Sequence, residues 1–320
     1  MISAVCQHER RRKNGTTKTG ATRYRCKDCG KSWTEKTATL GGMRIDLDTA
    51  AMVVEMLCEG VSVRATSRMT KVSVPTILDL LVYVGERCEA YMAENIRDQF
   101  VGDVQVDEIW QYVFCKKATA KQLNYVGGCG DSYCFTALDR STKLLVTWHM
   151  GRRTEEHCRQ FVTKLDRATN GHFHISSDGF KSYPSTIRNI LGHRVDHGVL
   201  VKIYGSTIDM NTRRYSPARI LGASKTAVHG DLYQQEQICT SHVERMNGSI
   251  RTFCKRMARL TYCFSKKWTN HKRALGLFFA HYNYCRKHRS LKGQTPAMAH
   301  GLATEVWTAR DLLERICEGV

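Results

Sequence analysis

The sequence predicts an α/β protein, a mixed sheet with helices on its faces, preceded by two small basic modules. Three observations lead there. Between residues 101 and 204, stretches with period-two apolar alternation are interrupted by stretches with helical spacing. Their order, β-β-β-α-β-α-β, suits a mixed five-stranded sheet with flanking helices. Residues 1–40, by contrast, are dense in Lys, Arg, Gly, Thr and Cys and too poor in apolar residues to hold a core of their own.

Each element follows from a local signal. Residues 1–44 contain Cys26-Lys27-Asp28-Cys29-Gly30, a C-x-x-C knuckle, with Cys6 and His8 upstream as two further ligands for one tetrahedral, structural zinc. Cys6-x-His8 is tighter than the usual ligand spacing, which leaves Glu9, or no fourth ligand, as alternatives. Residues 45–98 read as three helices, Leu47 to Cys58, Val63 to Met69 and Val74 to Tyr91. Gly60 separates the first two, and Ser73 with Pro75 forms an N-cap and first-turn pair for the third. The second and third, joined by Thr70-Lys71-Val72, have the outline of a helix-turn-helix that would aim Thr76 at a DNA groove.

The central unit spans residues 99–260. Strands are expected at Val101 to Phe114, Tyr133 to Leu138, Leu144 to Met150, His172 to Ser176 and Leu200 to Tyr204, and helices at Thr154 to Ala168 and Ser182 to Leu191. Residues 205–240, rich in Ser, Thr, Gly and Arg, lack a period; an interval that long implies partial structure or a functional flap. Helices resume at Ser241 to Met257. Residues 261–320 form a basic helical C-terminal region, with helices from Lys267 to Tyr284, from Thr295-Pro296 and from Trp307 to Ile316.

Charge narrows the function classes. The chain has 49 basic and 30 acidic residues, a net charge of +19. Residues 1–44 carry +8 and residues 241–292 carry +12, while the rest is close to neutral. Positive charge gathered into two blocks points to a polyanion, double-stranded DNA, as partner. No apolar run approaches the roughly 18 residues of a spanning helix and no leader-like segment opens the sequence, so a cytoplasmic protein without membrane attachment is expected. The fourteen cysteines then read as buried thiols and metal ligands; Cys58, Cys134, Cys158 and Cys317 stand in apolar contexts.

Three acids stand out against this background. Asp107 and Asp178 close alternating runs, where a strand is expected to meet a loop, and Glu244 is the lone acid in the +12 block. Helical spacing puts Glu244, Asn247 and Arg251 on one face. Phosphodiester cleavage needs charge stabilisation on both the attacking and the leaving oxygen, which two magnesium (or manganese) ions held by carboxylates supply. Clustered acids repel one another unless a cation lies between them. Asn247, Arg251, Lys255, Arg256, Arg259, Lys266 and Lys267 would hold phosphates beside them, as would Arg23 and Arg25 in the knuckle. Taken singly, the acids have plain structural readings: a strand cap, a turn residue before Gly179, and a salt-bridge partner of Arg245 or Arg251. Asp103, Glu108, Asp131 and Asp139 compete with them on spacing alone.

A wider set of motifs resembles the insertion-sequence-1 family of transposases over nearly the whole chain. They are Asp107-Glu108-Ile109-Trp110, Ser177-Asp178-Gly179, Tyr204-Gly205, Arg214-Tyr215-Ser216-Pro217, Ser241-His242-Val243-Glu244-Arg245-Met246-Asn247, Phe264-Ser265-Lys266-Lys267, Tyr282-Asn283-Tyr284 and Thr295-Pro296-Ala297-Met298. Arg23-Tyr24-Arg25-Cys26 is similar to that family's N-terminal zinc finger. The resemblance implies a ribonuclease-H-like catalytic domain with a DDE triad at Asp107, Asp178 and Glu244. It also implies a finger and a helix-turn-helix that bind terminal inverted repeats, and 3′-end cleavage with strand transfer by a homodimer or higher oligomer in a bacterial or archaeal nucleoid. One departure is that the family finger usually has C-x-x-C where this chain has Cys6-Gln7-His8-Glu9.

Two other readings use the same residues. His242-x-x-Arg245 matches the H-x-x-R of tyrosine recombinases, with Tyr262, Tyr282 or Tyr284 as a metal-independent nucleophile. A non-catalytic repressor built from the zinc and helix-turn-helix modules would show the same charge pattern.

Overall fold

A computed structural model describes the chain except for residues 1–5, 7, 18–21, 35–39, 125–127, 206–219, 232–234 and 318–320. The Arg214-Tyr215-Ser216-Pro217 motif therefore lies outside the described residues. The N-terminal part is a three-stranded antiparallel sheet, β1 (Arg11–Thr16), β2 (Thr22–Cys26) and β3 (Ser32–Thr34). β1 is exposed throughout, and Cys26 is the only buried residue of the three strands.

Three helices follow where capping residues start them. Asp46 caps α1 (Leu47–Cys58), accepting a hydrogen bond from the Thr49 N–H at 2.8 Å. Ser62 caps α2 (Val63–Thr70) and Ser73 caps α3 (Val74–Asn95), whose second residue is Pro75. Between α2 and α3 the chain turns at Lys71, which adopts a left-handed φ of 62°. α3 is longer than expected from sequence because its apolar face continues through Cys88 and Met92.

The central sheet builds on β5 (Asp103–Val113), after the short β4 (Gln99–Phe100). Then come α4 (Lys117–Gln122), β6 (Gly130–Asp139), β7 (Leu145–Gly151), α5 (Glu155–Ala168), β8 (Thr169–Asn170), β9 (Phe173–Ser177), α6 (Tyr183–Leu191), β10 (Val195–Tyr204) and β11 (Ile220–His229). The spatial order is β11-β10-β9-β5-β6-β7. β5, β6 and β7 are antiparallel, β5, β9 and β10 are parallel, and β11 returns antiparallel to β10.

Three expectations are corrected here. The sheet has six strands rather than five: β11, mostly exposed, carries no buried face to announce itself and is held by its backbone ladder to β10. β10 also begins at Val195, five residues before the expected start. Asp107 does not end its strand but lies inside β5. What ends beside it is the neighbouring strand, since Val106 pairs with Ser177, the last residue of β9.

α5 and α6 cover one face of the sheet, where Phe135 of β6 meets Phe161 of α5 with ring centroids 5.6 Å apart. α7 (Ser241–Phe253) lies on the other face. α8 (Trp268–Tyr284) docks along β7, where the buried Asn283 side chain accepts from the Leu145 N–H and donates to the Leu145 carbonyl, both at 3.0 Å. α9 (Pro296–His300) and α10 (Ala309–Ile316) complete the chain.

α3 and α8 approach so closely that a Cβ on Gly85 would lie 2.1 Å from the Arg273 carbonyl oxygen, and one on Gly276 would lie 2.7 Å from that of Gly85. Arg273 seals the contact with ion pairs to Glu86 at 2.5 Å and Glu89 at 2.7 Å. Residues 45–98 and 261–320, separate in the division expected from sequence, thus pack against each other. Cys58, Cys134, Cys158 and Cys317 are buried as expected. Among the described residues, no helix is long and apolar enough to cross a membrane.

Candidate active site and metal centres

Alternation along β5 sets up the first site. Gln105, Asp107 and Gln111 point to the α7 face, two or four residues apart. Gln105 Oε1 accepts from the N–H groups of His242 and Val243 at 2.9 and 3.1 Å, satisfying donors of the first turn of α7 that no helical carbonyl can reach. That anchor fixes the helix over the strand. Two turns of helix then place Glu244 and Asn247, and Asn247 Nδ2 donates to Asp107 Oδ2 at 2.7 Å.

Asp178 arrives from β9. With Val106 and Ser177 in register, Asp107 inside β5 and Asp178, the first residue after β9, follow next. Asp178 is held in its turn by the Phe180 N–H, which donates to Oδ1 at 3.0 Å. The carboxylates of Asp107, Glu108 and Asp178 offer oxygens that all lie within 4.8 Å of one another. Burial, then the charges of Asp178 and Glu244, push the Asp107 carboxyl up to about 7. Burial and Asp178 push Glu108 up to about 8, against the opposing pull of Tyr183 and Arg153. A hard cation with oxygen ligands fits beside Asp107 and Asp178, because its charge offsets the repulsion that adds to burial in raising Asp107.

Glu244 stands one helical turn from Asn247 and outside that trio. Its Oε1 accepts from the Thr240 hydroxyl at 2.6 Å, and its Oε2 pairs with Lys202 of β10. The charges of both Glu244 and Lys202 are felt at Asp107. The salt-bridge partner of Glu244 is therefore neither Arg245 nor Arg251.

The basic residues divide into two groups. Arg251 donates to the carbonyls of Met257 at 3.0 Å and Trp110 at 3.1 Å, and Arg256 donates to the Ser265 hydroxyl at 3.1 Å. Both bind the chain to itself. Arg259, Lys266 and Lys267 are exposed and Lys255 is half-buried. Lys255, Lys266 and Lys267, with Arg64 of α2 and Tyr262, line a cleft of about 1180 Å³ between α2/α3 and residues 254–270. Tyr262 is 99 % exposed. Thr76 is engaged by Ser73, its own helix cap, at 2.8 Å. Arg23 and Arg25 are exposed on β2, Arg25 donating to the Gly30 carbonyl at 3.1 Å.

A second centre lies in the N-terminal sheet, where Cys6, His8, Cys26 and Cys29 converge within 4.8 Å. Cys6 Sγ and Cys26 Sγ are 3.7 Å apart, and Cys29 Sγ is 3.3 Å from His8 Nδ1. Tetrahedral zinc with Zn–S near 2.3 Å would space two sulfurs by about 3.8 Å, so the set fits. His8 reaches its place through a left-handed φ of 59°. The Cys29 backbone N–H, followed by the His8 ring, draws the Cys26 thiol down to about 6, toward the thiolate a metal requires.

Sequence reading missed Lys202 and Arg153 and ranked Glu108 only as a competitor. Lys202 left a trace: in β10 it is less exposed than its apolar neighbours Val201 and Ile203, but sequence alone gives only a basic residue in an apolar run.

Comparison with known proteins bears on this arrangement. No curated protein matches the chain. Among solved structures, a piggyBac transposase synaptic complex with hairpin DNA is similar at 10 % identity and a TM-score of 0.40, covering 85 % of this chain and 71 % of that one. A family model described as IS1 transposase matches residues 218–285. That stretch, which runs from β11 through Glu244 and Asn247 to the end of α8, is similar to the IS1 transposase family.

Proposed function

We propose that the chain is a DDE transposase that binds the terminal inverted repeats of its own insertion sequence, frees DNA 3′ ends and transfers them to target DNA. The observation that carries this reading is the convergence of Asp107, inside β5, and Asp178, directly after the paired end of parallel β9, under the family-matched helix that bears Glu244. Three antiparallel strands continued by two parallel ones support a ribonuclease-H-like description of the sheet. Asp107, Asp178 and Glu244 are the proposed ligands of two magnesium or manganese ions, which when bound stabilise charge on the attacking and leaving oxygens. Asn247 orients Asp107, and Lys202 holds Glu244.

Cys6, His8, Cys26 and Cys29 hold one structural zinc in this reading. The knuckle with Arg23 and Arg25, the helix pair with Thr76, the exposed Arg259, and Lys255, Lys266 and Lys267 along the cleft contact the DNA backbone. Joining two ends calls for a homodimer or higher oligomer, acting in the cytoplasm on nucleoid DNA. The tyrosine-recombinase reading loses two of its nucleophiles: Tyr282 is 3 % exposed and donates to the Lys143 carbonyl at 3.1 Å, and Tyr284 is 1 % exposed and stacked on Trp307.

The test incubates the purified chain with duplex DNA bearing the terminal repeats, in magnesium or in EDTA. Free 3′ ends are expected with magnesium alone, abolished by Asp107→Ala, Asp178→Ala or Glu244→Ala while binding survives. Cutting that persists in EDTA, or a trapped phosphotyrosyl adduct, would overturn the metal mechanism.

A further inference from the structure

Successive residues of a strand leave opposite faces of the sheet, so Glu108 turns away from α7. It lies on the α5/α6 face, opposite Phe135 in the β5–β6 ladder and beside the buried Tyr183. Its side chain is only 2 % exposed, whereas that of Asp178 is 38 % exposed. An open ligand position would look more like Asp178. What Glu108 holds is Arg153, whose Nε donates to Glu108 Oε2 at 3.2 Å. Nη2 of the same guanidinium reaches Asp178 Oδ2 at 3.4 Å, and its Cζ lies 4.6 Å from the centre of the Phe180 ring.

A guanidinium fixed by a buried carboxylate and an aromatic face has lost much of its freedom before any substrate arrives. The Arg153 side chain is still 40 % exposed, at the rim of a site whose carboxylates would otherwise repel a phosphate. Lys202 supplies positive charge on the α7 side, and Arg153 supplies it on the other. We propose that Arg153 is a phosphate-contacting residue of this site, held by Glu108 and Phe180 so that its planar donors meet the non-bridging oxygens of the DNA phosphate brought to Asp107 and Asp178. Glu108 is then a positioning residue. The proposal rests on the DNA-cutting reading above.

The experiment is a cycle between side chain and phosphate charge. Wild-type chain, Arg153→Ala and Arg153→Lys are titrated with a terminal-repeat duplex that is either normal or carries one uncharged methylphosphonate at the bond to be cut. Calcium replaces magnesium so that binding is read without cutting. Arg153→Ala is expected to bind the normal duplex about 5- to 10-fold more weakly, and the methylphosphonate duplex within about 2-fold of wild type. Arg153→Lys recovers less than half of the loss, because an ammonium lacks the planar fork. Glu108→Gln shifts binding in the same direction by less, and melting curves without DNA confirm that each variant is folded. Equal losses on the two duplexes, or no loss at all, overturn the proposal while leaving the transposase reading intact. A wild-type chain that ignores the terminal duplex overturns both.

Discussion

The two ligand clusters are assembled in opposite ways. Cys6, His8, Cys26 and Cys29 are close in sequence and sit on a small sheet in which Cys26 is the only buried strand residue, so their mutual contacts stand in for a core. Asp107 and Glu108 on β5 and Asp178 after β9 come from two distant parts of the chain and are brought together by a large apolar core that tolerates their repulsion. In the first case the cluster organises the fold; in the second the fold organises the cluster. Withdrawing charge or metal should therefore have opposite consequences in the two regions.

The largest expected effect is at Asp107. Asp107→Asn should reduce DNA cutting to background, at least about 100-fold, yet raise the metal-free melting temperature at pH 8 by about 2–6 °C, because a buried repelling charge is gone. A fall in melting temperature would break the contrast. At the knuckle, Cys26→Ser or a zinc chelator should remove hydrogen-exchange protection from residues 11–34 and weaken DNA binding about 10-fold or more, while the melting of the central domain moves by less than about 2 °C. Loss of the central transition along with the knuckle would show that the two regions are one cooperative unit.

The smallest effect is a slope. Asp107 and Glu108 titrate at about 7 and about 8 in the folded chain, against ordinary values of 3.8 and 4.5. The folded state thus binds these protons more tightly than the unfolded one. Without metal, their contribution to stability falls as pH rises from about 4 to about 8 and levels off above that. Denaturant unfolding at stepped pH, with Asp107→Asn/Glu108→Gln as reference, measures it. A double variant with the same slope as wild type would remove these two acids as its cause.

How far the sequence carries depends on whether an element buries a face. α5, α8 and the strands β5 to β7 were legible because their apolar periodicity is dictated by the core they cover. β11 was not, since an exposed strand satisfied by backbone pairing leaves little pattern. Asp107 and Asp178 were legible as acids closing apolar runs, although Asp107 proved to lie within a strand whose neighbour ends. Glu108 was obscured by the alternation that sends it to the other face, and Arg153 by its place in a turn. The row of cations after Glu244 showed charge but not destination: Arg251 and Arg256 are engaged by the chain's own oxygens, which only the packing reveals.

The glycine contact between α3 and α8 has a consequence for how the protein is made. The face of α3 that carries Leu80, Leu81, Val84 and Gly85 has its principal partner in residues 268–284, near the far end of the chain. As the chain emerges from the ribosome, that face must wait uncovered until residues 268–284 have been synthesised. A fragment ending near residue 98 would keep the helices but not their cover, so the helix pair and the C-terminal region have to be inherited, expressed and engineered together.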